Sequence, residues 1–219
     1  MSRIILVSNA STPDDAPTEY LDSWFGKIVE LVKKQKDTKL FELKKERANR
    51  KELTELIEKE NPQLVIFNGH GNDELITGFK QEILVRCNDN ESILAGKIVH
   101  SMACESAKKL GQKCIIIGTR SFIGYKEKFN LVHLNKKSVP EQLGDPIARF
   151  FIEPAYEAVI ALVEGKTTGD AYTKSQNAYR ENLTMLLTNN CTEYNTVLAS
   201  RLYHNFQHQV CLGDKSASF

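Results

Sequence analysis

The order of sequence patterns predicts an α/β protein with a mostly parallel central sheet of about six strands and helices on both faces. Three observations carry this. Short runs rich in β-branched residues, such as "IILVS" (4–8) and "QLVIFN" (63–68), are continuously apolar, as strands buried on both faces are. Between them lie longer segments with apolar residues at three- and four-residue spacing. From Asp145 onward the pattern is almost entirely helical.

In chain order, "IILVS" is the first strand, and "NASTPDDAPT" after it is rich in turn and cap residues. Leu21, Trp24, Phe25, Ile28, Leu31 and Val32 then mark one face of a helix. "TKLFEL" (38–43) is a short strand, and Leu53, Leu56 and Ile57 mark a charged helix ending at Asn61-Pro62. "QLVIFN" is the third strand. "ELITGFKQEILVRCND" (74–89), two apolar runs flanking Gly78, reads as a hairpin beside the sheet. "ESILAG" fits one or two helical turns, "KIVHSMA" (97–103) the fourth strand, "ESAKKLG" a short helix and "CIIIGT" (114–119) the fifth strand. "FNLVHLN" (129–135) is a candidate edge strand.

Asp145-Pro146 is an N-cap followed by proline at the first helical position, and Pro154 is expected to kink the helix that follows. Helices over about 168–188 and 192–206 come next, and "HQVCLGD" returns as a strand. The expectation is a single domain over residues 1–219, with an α/β core and catalytic rim in 1–144 and a mainly helical completion in 145–219.

Composition excludes several classes. Hydrophobic residues are 41% and charged residues 26% of 219, and the formal net charge is +1, so no global charge argues for nucleic acid or an anionic membrane. No apolar run approaches the ~20 residues of a membrane span, and the first one is too short for a signal peptide. The chain reads as cytoplasmic, without an N-terminal pro-segment. Cys87, Cys104, Cys114, Cys191 and Cys211 are scattered and lack CxxC spacing, so neither a disulfide framework nor a structural zinc site is expected. At least four read as small hydrophobes.

Two strand ends carry the chemistry. "VIFNGHGND" (65–73) stops a buried strand on a histidine between glycines, and "IVHSMACES" (98–106) ends another on Cys104. In a parallel sheet both lie at the rim beyond the carboxyl ends of the strands, where functional groups gather. A cysteine between a strand and a helix is expected at a helix N-terminus, where backbone N–H groups favour the thiolate. His70 is then the candidate base, Cys104 the nucleophile, and Gly71, without a Cβ, a close-approach oxyanion donor. Either motif alone is common in ordinary turns and cores; their occurrence together at successive core strands is not.

The pattern resembles the caspase-like cysteine peptidases of clan CD, a group including caspases, gingipains, legumain, separase and bacterial CHAT domains. In these a strand ending in His-Gly precedes a strand ending in Ala-Cys; "FNGHGN" (67–72) and "HSMACES" (100–106) match in that order. "GTRSFIGY" (118–125) resembles the strand and loop after the cysteine strand. "FFIEPAYEAVIALVEGKTTGDAY" is similar to the long helix, turn and next helix of gingipain-like and CHAT chains. "CLGDKSASF" resembles their Gly-Asp-Pro ending, with Lys215 in place of proline. The resemblance implies a caspase–haemoglobinase fold and cysteine endopeptidase activity on protein or peptide substrates. It implies His70 as base, Cys104 as nucleophile, and the Gly71 and Cys104 amides as oxyanion hole. It implies no metal or organic cofactor, and it extends to a prokaryotic regulatory protease switched by a partner chain.

In that clan the residue before the scissile bond sits between the cysteine loop and the loop after the next strand. This points to Glu105, Ser121 and Tyr125 as substrate-binding walls; Arg120 opposes Glu105 in charge, so charge alone does not fix the preference. His100 lies too far back along its strand to act as base and reads as a core histidine. His204 and His208 share a helix face but lack the glutamate of HExxH and a third ligand, so they read as surface histidines. No basic patch with interleaved aromatics is present for nucleic acid. Two rivals remain: a caspase-like scaffold kept as a silent interaction subunit, and a flavodoxin-like small-molecule module using "SNASTPDD" as its ligand loop, which has no glycine-rich phosphate cradle.

Overall fold

The computed structural model describes residues 3–188 and 192–219. Its elements are β1 (Arg3–Asn9), α1 (Ala16–Lys33), β2 (Thr38–Lys44), α2 (Arg50–Glu60), β3 (Leu64–Asn68), β4 (Leu75–Thr77), β5 (Ile83–Arg86), β6 (Ile98–Ser101), α3 (Leu110–Ile116), β7 (Ser121–Tyr125), α4 (Val139–Leu143), α5 (Pro146–Val163), α6 (Thr168–Thr188), α7 (Glu193–His208) and β8 (Gln209–Gly213). Six strands form one sheet in the order β2-β1-β3-β6-β7-β8, and β4-β5 form a separate hairpin. All neighbours in the large sheet are parallel except β7 and β8. The mixed α/β architecture with a mostly parallel six-stranded sheet is the one the patterning predicts.

Strand alternation divides the core. Ile5, Val7, Ile66, Ile98 and Ile123 face α1 and α5, meeting Trp24, Phe25, Ile28 and Val159. Their neighbours Leu6, Val65, Phe67, Val99 and Phe122 face the opposite way, against α2, α3 and the hairpin. A third cluster, with Phe151, Tyr179 and Leu202, joins α5, α6 and α7. Pro154 sits inside α5 without ending it. Proline has no N–H for the Phe150 carbonyl, and that oxygen instead accepts from Asn182 Nδ2 on α6 at 3.0 Å.

Three local expectations are corrected. Residues 114–116 of "CIIIGT" are the end of α3, not a strand; the strand is β7. Short apolar runs are ambiguous in period, and here the buried pair Leu110 and Cys114, four apart, fixes the helix while Ile116 stays 79% exposed. "ESAKKLG" is mostly turn, with α3 starting only at Leu110. "FNLVHLN" is not a strand. It is an extended strap held by side chains: Asn130 N–H donates to Asn205 Oδ1 (2.8 Å) and Leu134 N–H to Asp145 Oδ2 (2.7 Å). Asp145 also caps α5 and accepts from Tyr20 Oη at 2.8 Å, and these donors hold its carboxyl below the usual range although burial pushes it up.

Candidate active site

β3 and β6 are adjacent and parallel, with Phe67 opposite Ser101, so the chain leaves both at the same rim. The residues that follow are His70 on one side and Cys104 on the other. The two loops are tied together: Leu110 N–H donates to the Asp73 carbonyl at 2.8 Å, and Lys109 Nζ lies 2.8 Å from Asp73 and 3.0 Å from Glu74.

Both glycines of "GHG" are required by packing. A Cβ on Gly69 would meet the Thr77 carbonyl oxygen at 2.6 Å; one on Gly71 would meet the Leu75 carbonyl oxygen at 2.5 Å and the Ala103 side chain at 3.0 Å. Gly71 is thereby wedged between the hairpin and the cysteine loop, 3.5 Å from that Cβ position to the Cys104 carbonyl oxygen. The hairpin also holds the histidine: Thr77 N–H donates to the His70 carbonyl at 2.9 Å, and Gly71 bridges Ile76. Among the described residues neither the Gly71 nor the Cys104 N–H donates to a backbone carbonyl. Backbone N–H groups free to donate are what a developing oxyanion needs.

His70 has a partner that the sequence reading missed. Its Nε2 lies 2.5 Å from Asp15 Oδ2. This hydrogen bond raises the His70 pKa against an opposing effect of burial. On Asp15, burial pushes the pKa up, but the bonds from His70 and from Thr18 Oγ1 (2.8 Å) outweigh it and the net shift is downward. When Nε2 donates to Asp15, Nδ1 keeps its lone pair and can accept a proton. Asp15 occupies the N-cap of α1, yet its side chain caps no helix N–H. The available signal was a cap aspartate before Ala-Pro; that β1 lies beside β3 and brings its loop to His70 is visible only in the sheet order.

The setting of Cys104 departs from expectation. It lies in a turn three residues beyond β6 and six before α3, not at a helix N-terminus, so no helix dipole activates it. Its turn is built by Ser106, whose hydroxyl donates to the Ala103 carbonyl (2.8 Å) and pairs with Ser101 Oγ (2.9 Å). Glu105 takes a left-handed φ of 57° and donates its N–H to the Glu127 carbonyl at 3.2 Å. Burial raises the Cys104 pKa; the Phe129 backbone, at the start of the strap, and the charge of Lys128 offset part of this. The resting group is a thiol, and a base is needed to make it a nucleophile.

The expected substrate walls divide. Glu105 is beside Cys104, half-buried, with Lys108 3.9 Å away. Ser121 is corrected: it starts β7 at the end remote from the rim, opposite Ile98, fully buried with its hydroxyl on the Leu212 carbonyl at 3.0 Å. Tyr125 is also corrected: it ends β7 below the rim and is 1% exposed, its hydroxyl 2.7 Å from Tyr179 Oη, so it supports the loop from within the core. His100 is fully buried. His204 and His208 stack with ring centroids 4.4 Å apart, His204 Nε2 lying 3.1 Å from the Lys128 carbonyl. No group of three or more metal-ligating residues is found among the described residues. Cys87, Cys104, Cys114 and Cys211 are free thiols, and Cys191 lies outside the described residues. Among the described residues no helix is long and apolar enough to cross a membrane.

The sheet order and the rim define an α/β fold of caspase–haemoglobinase type with a histidine and a cysteine at neighbouring strand ends. Among solved structures the chain is similar to the Arg-specific cysteine proteinase gingipain R (RGPB), with a TM-score of 0.63 and 11% identity. The match covers 99% of this chain and 47% of that one, so the chain spans about half the length of its structural neighbour. No family model matches the sequence. No curated protein matches it.

Proposed function

We propose that the protein is a cysteine endopeptidase using His70 and Cys104, with Asp15 as the group that orients and charges the histidine. The observation that carries this reading is the Asp15–His70 pair at 2.5 Å, poised at the rim beside the loop that holds Cys104. A histidine that served only a turn would have no use for a carboxylate withdrawn from helix capping.

In this reading the scissile carbonyl enters between Gly71 and Cys104. His70 Nδ1 takes the thiol proton as Cys104 Sγ attacks the carbonyl carbon, and the Gly71 and Cys104 N–H groups receive the oxyanion. The imidazolium, stabilised by Asp15, gives its proton to the leaving amine nitrogen as the C–N bond breaks. Water then loses a proton to His70 and adds to the thioester, and Cys104 leaves with that proton returned. The resemblance to CHAT-type chains extends the reading to a regulatory protease switched by another chain.

A silent, caspase-like interaction subunit is favoured by one observation, the burial that raises the Cys104 thiol pKa. A peptidyl electrophile separates the two. Labelling that requires Cys104 and falls sharply in His70→Ala supports the peptidase; a folded parent whose Cys104 resists the reagent while other thiols react overturns it.

A further inference from the structure

Beyond β7 the chain passes along α7, and between the two lies a groove of about 470 Å³ lined by Lys128, Asn130, Val197, Ser200, Arg201 and His204. Lys126 N–H donates to the His208 carbonyl at 2.9 Å, which fixes the end of α7 beside the exit of β7. We propose that this groove receives an acidic side chain, Asp or Glu, from one of the two substrate residues before the scissile bond. The inference rests on the peptidase reading above and names the substrate class of its acyl half.

Position comes first. In the sheet order β3-β6-β7, His70 follows the strand on one side of β6 and the groove follows the strand on the other. His70 gives its proton to the leaving amine, so the amine half of the substrate lies toward β3 and the acyl half, bonded to Cys104, extends toward β7. The groove also adjoins the thiol. The Phe129 backbone and the charge of Lys128 both act on Cys104, and Glu105 N–H donates to the Glu127 carbonyl at 3.2 Å. Lys128 and Asn130 are the direct neighbours of Phe129, and an extended chain advances about 3.3 Å per residue, so the groove is one or two residues from the reacting carbonyl.

The walls set the charge. Lys128 and Arg201 are cations, no carboxylate lines the groove, and among the described residues neither cation forms an ion pair. The cations of the cysteine turn are different: Lys108 lies 3.0 Å from Glu127 and 3.9 Å from Glu105, and Lys109 lies 2.8 Å from Asp73. The carboxylates beside Lys128 and Cys104 in the chain are thus turned to Lys108. The other polar groups of the groove donate. His204 Nε2, 3.1 Å from the Lys128 carbonyl, carries its hydrogen there. Arg201 Nη1 donates to Asn130 Oδ1 at 3.3 Å, which leaves the Asn130 amide hydrogens and the rest of the guanidinium for a ligand. The frame is tied in place by Asn205, fully buried on α7, which accepts from Asn130 N–H at 2.8 Å and donates to the Asn130 carbonyl at 2.7 Å. Val197 offers an apolar contact for the methylene stem of Asp or Glu. Two cations and several donors on one frame suit a carboxylate.

The test reads cut sites directly. A peptide library randomised at every position is digested and the products are sequenced by mass spectrometry. Asp and Glu should be enriched at one of the two positions before the cut, on the order of tenfold over Asn and Gln, the modest figure that exposed charges give. The enrichment should shrink in about 1 M salt, where the screening length is about 3 Å. It should collapse in Arg201→Gln and turn toward Lys and Arg in the double variant Lys128→Glu, Arg201→Glu. A parent that prefers Lys, Arg or apolar residues at both positions, or shows no preference, overturns the inference and leaves the peptidase standing. So does an acidic preference that survives Lys128→Gln combined with Arg201→Gln. If the parent cuts nothing and Cys104 is not labelled, the peptidase reading fails, and a second arm decides the groove alone. Acetyl-Ala-Asp amide and acetyl-Ala-Asn amide are titrated into Cys104→Ala protein and followed by NMR. Saturable shifts of the Asn130 and Arg201 amides that need the Asp peptide and are lost in Arg201→Gln uphold an acid-binding groove; equal responses to the two peptides, or none, overturn it.

Discussion

Two histidines on neighbouring chain segments differ in almost every physical respect. His70 lies just past β3 at the rim, its side chain 45% exposed, with a carboxylate that raises its pKa. His100 lies inside β6, between Ile66 and Ile123, with no exposure and, among the described residues, no hydrogen bond made by either ring nitrogen. Burial pushes its pKa down to about 4, and the nearby Ala155 backbone offsets only part of this. One ring has a carboxylate that favours its protonated form; the other is kept neutral by the core around it. A residue type therefore says little until its distance from the rim is known.

The comparison breaks first at activity. Cys104→Ala is expected to abolish cleavage, and His70→Ala to lower it by about 10²–10⁴-fold, with both proteins folded. His100→Leu, in contrast, should retain cleavage at neutral pH. Equal losses in the two histidine variants, measured as kcat/KM, would remove the distinction between them.

Stability against pH is the converse test. The folded-state pKa of His100 is depressed, so below the unfolded value near 6.5 the unfolded chain takes up a proton that the folded chain refuses. Stability should fall between about pH 6.5 and 4, by about 3 kcal/mol in all. Below pH 4 both states are protonated and this contribution levels off. Urea melts of parent and His100→Leu across that range check it: the variant should lose less stability on acidification.

Asp15→Asn sharpens the other half. It removes the partner that raises the His70 pKa, so the acid limb of kcat/KM should move to lower pH while the maximum falls roughly 10²-fold through lost orientation. An unmoved acid limb would show that Asp15 does not act through His70.

The smallest expected effect is on Gly71→Ala. Its Cβ would press on the Leu75 carbonyl and Ala103, an overpacking cost of about 1–3 kcal/mol. Cleavage at a temperature where the variant is folded should fall further than alkylation of Cys104 by a small reagent, which needs no oxyanion donor. Equal losses in the two rates would leave Gly71 with a packing role alone.

The sequence by itself determined the class of fold and the two rim motifs. Continuous apolar runs such as "LVIFN" and helical spacing such as Leu21, Trp24, Phe25 and Ile28 are local signals, because burial on two faces or one dictates residue type directly. His70 and Cys104 were legible for the same reason, since both follow such runs. Tertiary structure alone decided what surrounds them. Asp15 reaches His70, 55 residues further along the chain, because β1 pairs with β3. The environment of Cys104 comes from the turn at 104–109 and a strap held by Asp145, Tyr20 and Asn205. Ser121 and Tyr125 fell inside the protein because where a strand begins within the sheet sets which of its residues reach the rim. Helix or strand in "CIIIGT" hinged on which side of Cys114 met the core. Each of these depends on contacts between residues far apart in sequence, and no local pattern records which distant group a side chain will meet.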